Sequence, residues 1–325
     1  MNTKMSARGS TVLAACAGLL LATTASAAVA QDAPAIYHTT LAAPVYYPWM
    51  NTSVKAAWAK GYEGQGVTIT FVDEFNGTDP FPGSWTGVQL NQLHGLYTTE
   101  EAGLLAPLAT IVDKDFNTYT APVSLKSGAL NVINLSYAIY APSYYKAYGS
   151  SFWNGDPQEQ SIISDAMNGK AVIAKAAGND SVAIGSTLGR NSQGGAGNVD
   201  FLDTALEGAP TVIYAGALNN NGSAGKQTMA WYSDTAGSNK TVQQHFLVVG
   251  VDGDMTGLYG TSFEAPVISA YAAILGSKFT KATPTQITNQ LLDTALTSTL
   301  SNYSASVYGR GEANLTGALA PTSIH

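Results

Sequence analysis

The chain has 325 residues, with 22 acidic side chains against 15 basic ones and only 11% charged residues in all. A hydrophobic share of 45% excludes global disorder and collagen-like repetition, and a net charge of −7 argues against a nucleic-acid-binding surface, which needs clustered Lys and Arg. Cys16 is the only cysteine and histidines number four, so neither a disulfide framework nor a histidine-rich metal site is expected.

In chain order, Lys4 and Arg8 precede an apolar run from Thr11 to Thr23, followed by Ala25-Ser26-Ala27 and Ala28-Val29-Ala30. A basic start, a short apolar middle and small residues at a cut site predict a secretory signal peptide over residues 1–30. Cleavage is expected after Ala30, with Ala27 second. Lipidation of Cys16 within Leu13-Ala14-Ala15-Cys16 is the weaker rival, because the most apolar stretch follows that cysteine. No later run is long enough to cross a membrane, so an exported protein, periplasmic or secreted, is expected.

Residues 31–52 read as irregular, with Pro34, Pro44 and Pro48, and Val54–Lys60 as a short helix stopped by Gly61. The β-rich run 66–73 ends in Asp73, and apolar runs recur at 108–112, 132–135, 171–177, 211–217 and 246–251. Helical patterns fall at 160–168, 263–275 and 284–295. Near-continuous apolar strands interleaved with helices predict an α/β fold: three layers, a mostly parallel β-sheet with helices on both faces. No linker composition interrupts it, so 31–325 is expected to be one domain.

Four segments carry candidate chemistry. They are Thr70-Phe71-Val72-Asp73, His94-Gly95 with the loop-like Gly103-Leu104-Leu105-Ala106-Pro107 after it, Val172–Asn179, and Gly260-Thr261-Ser262-Phe263-Glu264-Ala265-Pro266. Singly, each has a bland reading: a helix cap, a structural histidine, a turn. Together they supply what acyl transfer needs. A serine hydroxyl is a poor nucleophile until an imidazole can take its proton, the imidazole needs a carboxylate to fix its tautomer, and the oxyanion needs a donor.

With these residues in this order the chain resembles the subtilisin family of serine proteases, and the resemblance runs through most of residues 31–325. The strand Val132-Ile133-Asn134-Leu135-Ser136 and the closing Tyr308-Gly309-Arg310-Gly311 fit it as well. The resemblance implies a subtilisin-like peptidase domain acting on protein or peptide substrates. It implies Ser262 as nucleophile, His94 as general base and acid, Asp73 as its orienting carboxylate and Asn179 as oxyanion donor. Leu135, Ser136, Ala176, Ala177 and Gly178 would line the substrate. Asp79 is the alternative to Asp73 if the strand ends later.

The chain also departs from the family. Leu96-Tyr97-Thr98-Thr99-Glu100 stands where Thr-His-Val-Ala-Gly is usual, and Glu74-Phe75 follows the Asp where a small residue and Gly are usual. That departure motivates a second reading, a catalytically inactive relative kept as a binding or regulatory protein; an esterase is a third. No cofactor or metal is expected. Asp252 and Asp254 could suggest structural calcium but read as turns. Nor is a membrane partner expected once the signal is removed. Only 36 residues (31–66) precede the Asp strand after the expected cut, so maturation without autoprocessing is expected. Lys175 and Glu264, charges in apolar settings, are expected to pair with each other or, equally, to reach solvent and a helix N-terminus separately.

Overall fold

The computed structural model describes residues 11–14, by backbone alone, together with 43–117, 120–221 and 225–324. The expected cut after Ala30, Cys16 and the first part of the irregular arm lie outside the described residues. Among those residues no helix is long and apolar enough to cross a membrane.

Seven strands form the central sheet, in the order Gly311–Glu312, Phe246–Gly250, Val212–Leu218, Val172–Ala176, Leu130–Leu135, Val67–Asp73 and Thr110–Asp115. Every pairing within it is parallel. Parallel strands need crossovers, and the crossover helices cover both faces. Thr52–Trp58, His94–Leu105, Glu264–Lys278 and Pro284–Asp293 lie over one core, while Pro157–Met167, Phe201–Leu206 and Lys240–Gln244 lie over the other. This is the expected three-layer, subtilisin-like α/β architecture. Strand periodicity sorts the side chains between the two cores. Val172, Ala174 and Ala176 face the first, and Ile173 and Ala177 the second.

Two small antiparallel sheets complete the fold. Phe81–Gly83 pairs with Leu90–Gln92 as a hairpin, and Tyr137–Pro142 is flanked by Thr11–Ala14 on one edge and Asn198–Asp200 on the other. The strand Tyr137–Pro142 and the helix His94–Leu105 were not legible as elements. The segment Gly103-Leu104-Leu105, read as a loop, is the last turn of that helix. Its N-cap, Leu93, makes no side-chain capping bond, and its buried residues are spread around it, so neither a cap signal nor an amphipathic period marks it. Its neighbour Glu264–Lys278 is buried along all but its last residue.

Candidate functional site

Asp73 ends its strand at the C-terminal edge of the sheet, where chains that wind through parallel sheets bring their loops together. Its Oδ1 lies 2.6 Å from His94 Nδ1 and also accepts from the Glu74 N–H at 2.7 Å. Its Oδ2 accepts from Thr98 Oγ1 at 2.9 Å. Thr98 sits one helical turn after His94, so one helix presents both the imidazole and the hydroxyl that steadies its carboxylate. The Gly95 N–H donates to the Glu74 carbonyl at 3.0 Å, tying the helix start to the strand end. With a carboxylate at Nδ1, the neutral ring carries its proton there and leaves a lone pair on Nε2. Nε2 is buried and has no hydrogen-bond partner among the described residues.

Ser262 lies in the short 3₁₀ turn Thr261–Phe263 that feeds Glu264–Lys278. Its hydroxyl donates to the Ser136 carbonyl at 3.1 Å rather than to His94. Ser136 Oγ in turn donates to the Ser262 carbonyl at 2.8 Å, and accepts from Asn134 Nδ2 at 2.8 Å. Asn134 Oδ1 takes a bond from Ser269 Oγ at 3.1 Å, on the helix that the Ser262 turn feeds. The serine turn and the Leu130–Leu135 strand are therefore stitched together by side chains as well as by packing. Asp73, His94 and Ser262 are each at most 1% exposed.

Asn179 follows the strand Val172–Ala176 through Ala177-Gly178. Its Oδ1 accepts from the Thr261 N–H at 2.8 Å and from Thr261 Oγ1 at 3.0 Å. A backbone N–H can only donate, so the amide end facing it is the oxygen and the Nδ2 donors project from the other end. Gly178 has φ +114°, and a Cβ there would come within 2.4 Å of Asp234 Oδ2, so the approach to Asn179 tolerates only glycine. The Gly178 N–H also donates to Thr261 Oγ1 at 3.0 Å. Of the other expected substrate-lining residues, Leu135, Ala176 and Ala177 are buried, and Ser136 contacts Ser262 directly. Beside Asn179 and Gly260 an open depression of about 840 Å³ is walled by Arg190, Trp231 and Tyr259.

Aromatic side chains wall the imidazole. Phe263 and Phe81 lie with ring centroids 5.7 and 6.3 Å from it, and Trp85 meets Phe263 edge-on at 5.6 Å. The hairpin that carries Phe81 is held by Tyr97, whose hydroxyl lies 2.7 Å from the Leu90 carbonyl and 3.0 Å from that of Phe81. Trp85 Nε1 donates to the Tyr97 carbonyl at 2.9 Å. Sequence reasoning missed Thr98, Phe81 and Trp85. Thr98 carried a signal, its helical spacing from His94; the two aromatics did not.

Behind the site lie two more carboxyls, of which only Glu264 was given a partner on sequence grounds. Glu101, on the His94 helix, and Glu264, two residues after Ser262, are 0% and 1% exposed. Burial pushes both well above the usual carboxylate range, and the charge of Glu264 raises Glu101 further.

The expected pairing of Lys175 with Glu264 does not occur. Lys175 Nζ lies 3.0 Å from Asp200 and 3.2 Å from Asp203, and donates to the Ala176 carbonyl at 2.6 Å. The cause is strand alternation. Lys175 sits between Ala174 and Ala176, which face the serine helix, so its own side chain leaves from the opposite face.

These features fit a known group. The subtilase family model matches residues 84–311, more than two thirds of the chain, and the chain belongs to that family of peptidases. The match begins after the Asp73 strand. No curated protein matches the chain in sequence. Among solved structures, it is similar to the MycP1 protease of Mycobacterium smegmatis, with TM-score 0.53, 19% identity, and coverage of 87% of this chain and 86% of that one. A lanthipeptide protease gives TM-score 0.53 at 15% identity, covering 84% and 93%. The prenylagaramide maturation protease PagA gives TM-score 0.50 at 17% identity, covering 82% and 98%. At these identities the likeness is one of fold.

Proposed function

We propose that the protein is an exported serine endopeptidase in which Ser262 attacks, His94 transfers the proton, Asp73 orients the imidazole and Asn179 binds the oxyanion. The observation that carries this reading is the 2.6 Å contact of His94 Nδ1 with Asp73, which leaves an unpartnered Nε2 as the base. Family membership and the family's Gly-Thr-Ser-x-x-x-Pro pattern at Gly260–Pro266 support it.

In this reading the Ser262 hydroxyl turns from the Ser136 carbonyl to His94 Nε2, and Oγ adds to the substrate carbonyl as its proton passes to Nε2. Charge collecting on the former carbonyl oxygen is met by the Asn179 amide and by N–H groups at the start of the serine helix. The imidazolium, stabilised by Asp73, then protonates the departing amine. Water repeats the sequence on the acyl-enzyme, restoring Ser262. Burial of the pair strengthens each electrostatic term, because little water competes. No step calls for a metal or cofactor. Export rests on the signal-like residues 1–30, and the substrates are peptides or proteins.

A specific observation favours the second reading, an inactive relative: the Ser262 hydroxyl is bonded to Ser136 and not to His94. A fluorophosphonate probe separates the two, since only an activated serine reacts. Labelling of the wild-type chain and none of Ser262→Ala or His94→Ala supports the protease. An unlabelled wild-type chain, folded and at alkaline pH, ends that reading.

A further inference from the structure

The open depression of about 840 Å³ beside Asn179 and Gly260 holds a charge that the proposed chemistry does not use. Among the described residues Arg190 is the one basic side chain on its wall. It is exposed, and it forms no ion pair or hydrogen bond with any of them. In a chain of net charge −7, a guanidinium left without a carboxylate is an exception.

The two acids on the same wall do not answer it. Asp180 Oδ1 accepts from the Gln193 N–H at 2.6 Å, and its Oδ2 from the Tyr140 hydroxyl at 3.3 Å. Asp254 Oδ1 accepts from the Tyr259 hydroxyl at 2.7 Å, and Asp254 also borders a second, smaller depression that Arg190 does not line. The loop carrying Arg190 is pinned at its base, where the Leu188 N–H donates to the Asn198 carbonyl at 2.8 Å and the Gly197 N–H to the Leu188 carbonyl at 3.0 Å. The bond from Gln193 ties its middle to Asp180, the residue that follows Asn179. Arg190 is therefore anchored through the immediate neighbour of the proposed oxyanion donor.

In the proposed reaction the Asn179 amide meets the oxygen of the attacked carbonyl. The residue bearing that carbonyl thus has its side chain nearest the groups beside Asn179. Trp231 and Tyr259, 81% and 41% exposed, offer aromatic surface there to the aliphatic stem of a side chain. The planar guanidinium, with its parallel N–H groups, matches a carboxylate at the end of that stem.

We infer that Arg190 selects an acidic side chain, glutamate above all, on the residue whose carbonyl is attacked, so that the substrates are peptides cut after an acidic residue. The position of this residue relative to the cut rests on the proposed roles of Ser262 and Asn179; recognition of the carboxylate does not.

Two fluorogenic peptides that differ only in Glu or Gln at that residue test the inference. The wild-type chain should cleave the Glu peptide with a kcat/KM about tenfold higher, the scale of one hydrogen bond to a charged group. The advantage should shrink at high salt, because the pair is open to water. Arg190→Gln should erase the preference. Arg190→Glu should reverse it, cleaving a peptide with Lys at that residue faster than the Glu peptide, a gain that a misfolded chain cannot show. Equal kcat/KM for the Glu and Gln peptides in the wild-type chain, or a Glu preference that survives Arg190→Glu, would overturn the inference. Binding of the same peptides to the Ser262→Ala chain, read by fluorescence anisotropy, separates this failure from that of the protease reading. If no chain cleaves either peptide, the protease reading falls; tighter binding of the Glu peptide that Arg190→Gln abolishes would still uphold the recognition, and equal binding of both peptides would end it.

Discussion

Buried polar groups flank the central sheet on both faces, and the two sets differ in how their hydrogen-bonding capacity is met. On the second face Lys175 is held by Asp200, Asp203 and the Ala176 carbonyl, Asp200 Oδ1 accepts from the Ile139 and Leu202 N–H groups, and Tyr137 donates to Glu159 at 2.5 Å. Each charged group there has at least one partner, although Glu159 Oε2 and Asp203 Oδ1 accept no hydrogen bond among the described residues. On the serine-helix face His94 Nε2 and both oxygens of Glu101 have none. Evolution leaves a buried polar atom unpaired only at a cost of about 1–3 kcal/mol, so such an atom points to work done there. The Lys175 cluster braces the strand that leads to Asn179, whereas His94 Nε2 keeps its lone pair unengaged beside the Asp73 contact.

The comparison is broken most sharply by removing the hydroxyl proposed as the nucleophile. Ser262→Ala should lower kcat on a peptide substrate by about a millionfold, the scale seen when one member of a Ser/His/Asp unit is lost, while leaving the unfolding midpoint close to wild type. A residual rate within about tenfold of wild type would place the nucleophile elsewhere. The reciprocal change on the other face should spare chemistry and damage stability. Lys175→Met strands two buried aspartates and should cost about 3–5 kcal/mol, read from denaturant unfolding. Combining it with Asp203→Asn should cost clearly less than the sum, because the pair is coupled. Strict additivity would mean that Lys175 and Asp203 do not interact.

Titration probes the second face in another way. Burial pushes Glu159 up to about 8 from an ordinary 4.5, partly offset by the Tyr137 hydroxyl. The folded chain therefore keeps a proton that the unfolded chain has lost between those values. Its stability contribution is fully present below the unfolded pKa and is lost as pH rises toward the folded one. Glu159→Gln should remove this part of the slope, so that the variant gains on the wild type as pH rises from 4.5 to about 8. Unfolding midpoints across that interval decide it, and parallel profiles would show that Glu159 ionises normally.

How much of this was legible depended on whether local pattern or sheet geometry set the answer. The core strands are near-continuous apolar runs buried on both faces, so their type was plain. Asp73 ends a strand and His94 begins a helix, Asn179 lies just past a strand and Ser262 just before a helix, each inside a short, recognisable run, and the fold brings their segments together. Lys175 failed for a geometric reason: its partner depends on which face of the sheet position 175 takes, and an apolar run with both faces buried carries no alternation to show it. The hairpin placing Phe81 against His94 is fixed by Tyr97 hydroxyl contacts, which no local period encodes. The strand Tyr137–Pro142 follows another strand after the single residue Ser136, and no Gly or Pro between them marks the start of a second element.

The smallest expected effect tests the residue that sequence spacing could have found. Thr98 Oγ1 has one proton and two acceptors in range, Asp73 Oδ2 at 2.9 Å and the Gly95 carbonyl at 3.1 Å. The shorter contact, to a carboxylate, is the stronger, so the proton belongs to Asp73. Thr98→Val keeps the shape of the side chain and removes that donor, leaving Asp73 Oδ2 buried without it. A charge-assisted hydrogen bond is worth about 1.5–3 kcal/mol, so kcat should fall by roughly ten- to a hundredfold. Because Thr98 touches Asp73 and not the substrate, KM should hold while kcat drops. Thr98→Ser, which retains the hydroxyl, should recover most of the rate. A loss shared equally by the serine and valine variants would assign Thr98 to helix packing alone, and His94 would then owe its orientation to the single Nδ1 contact with Asp73.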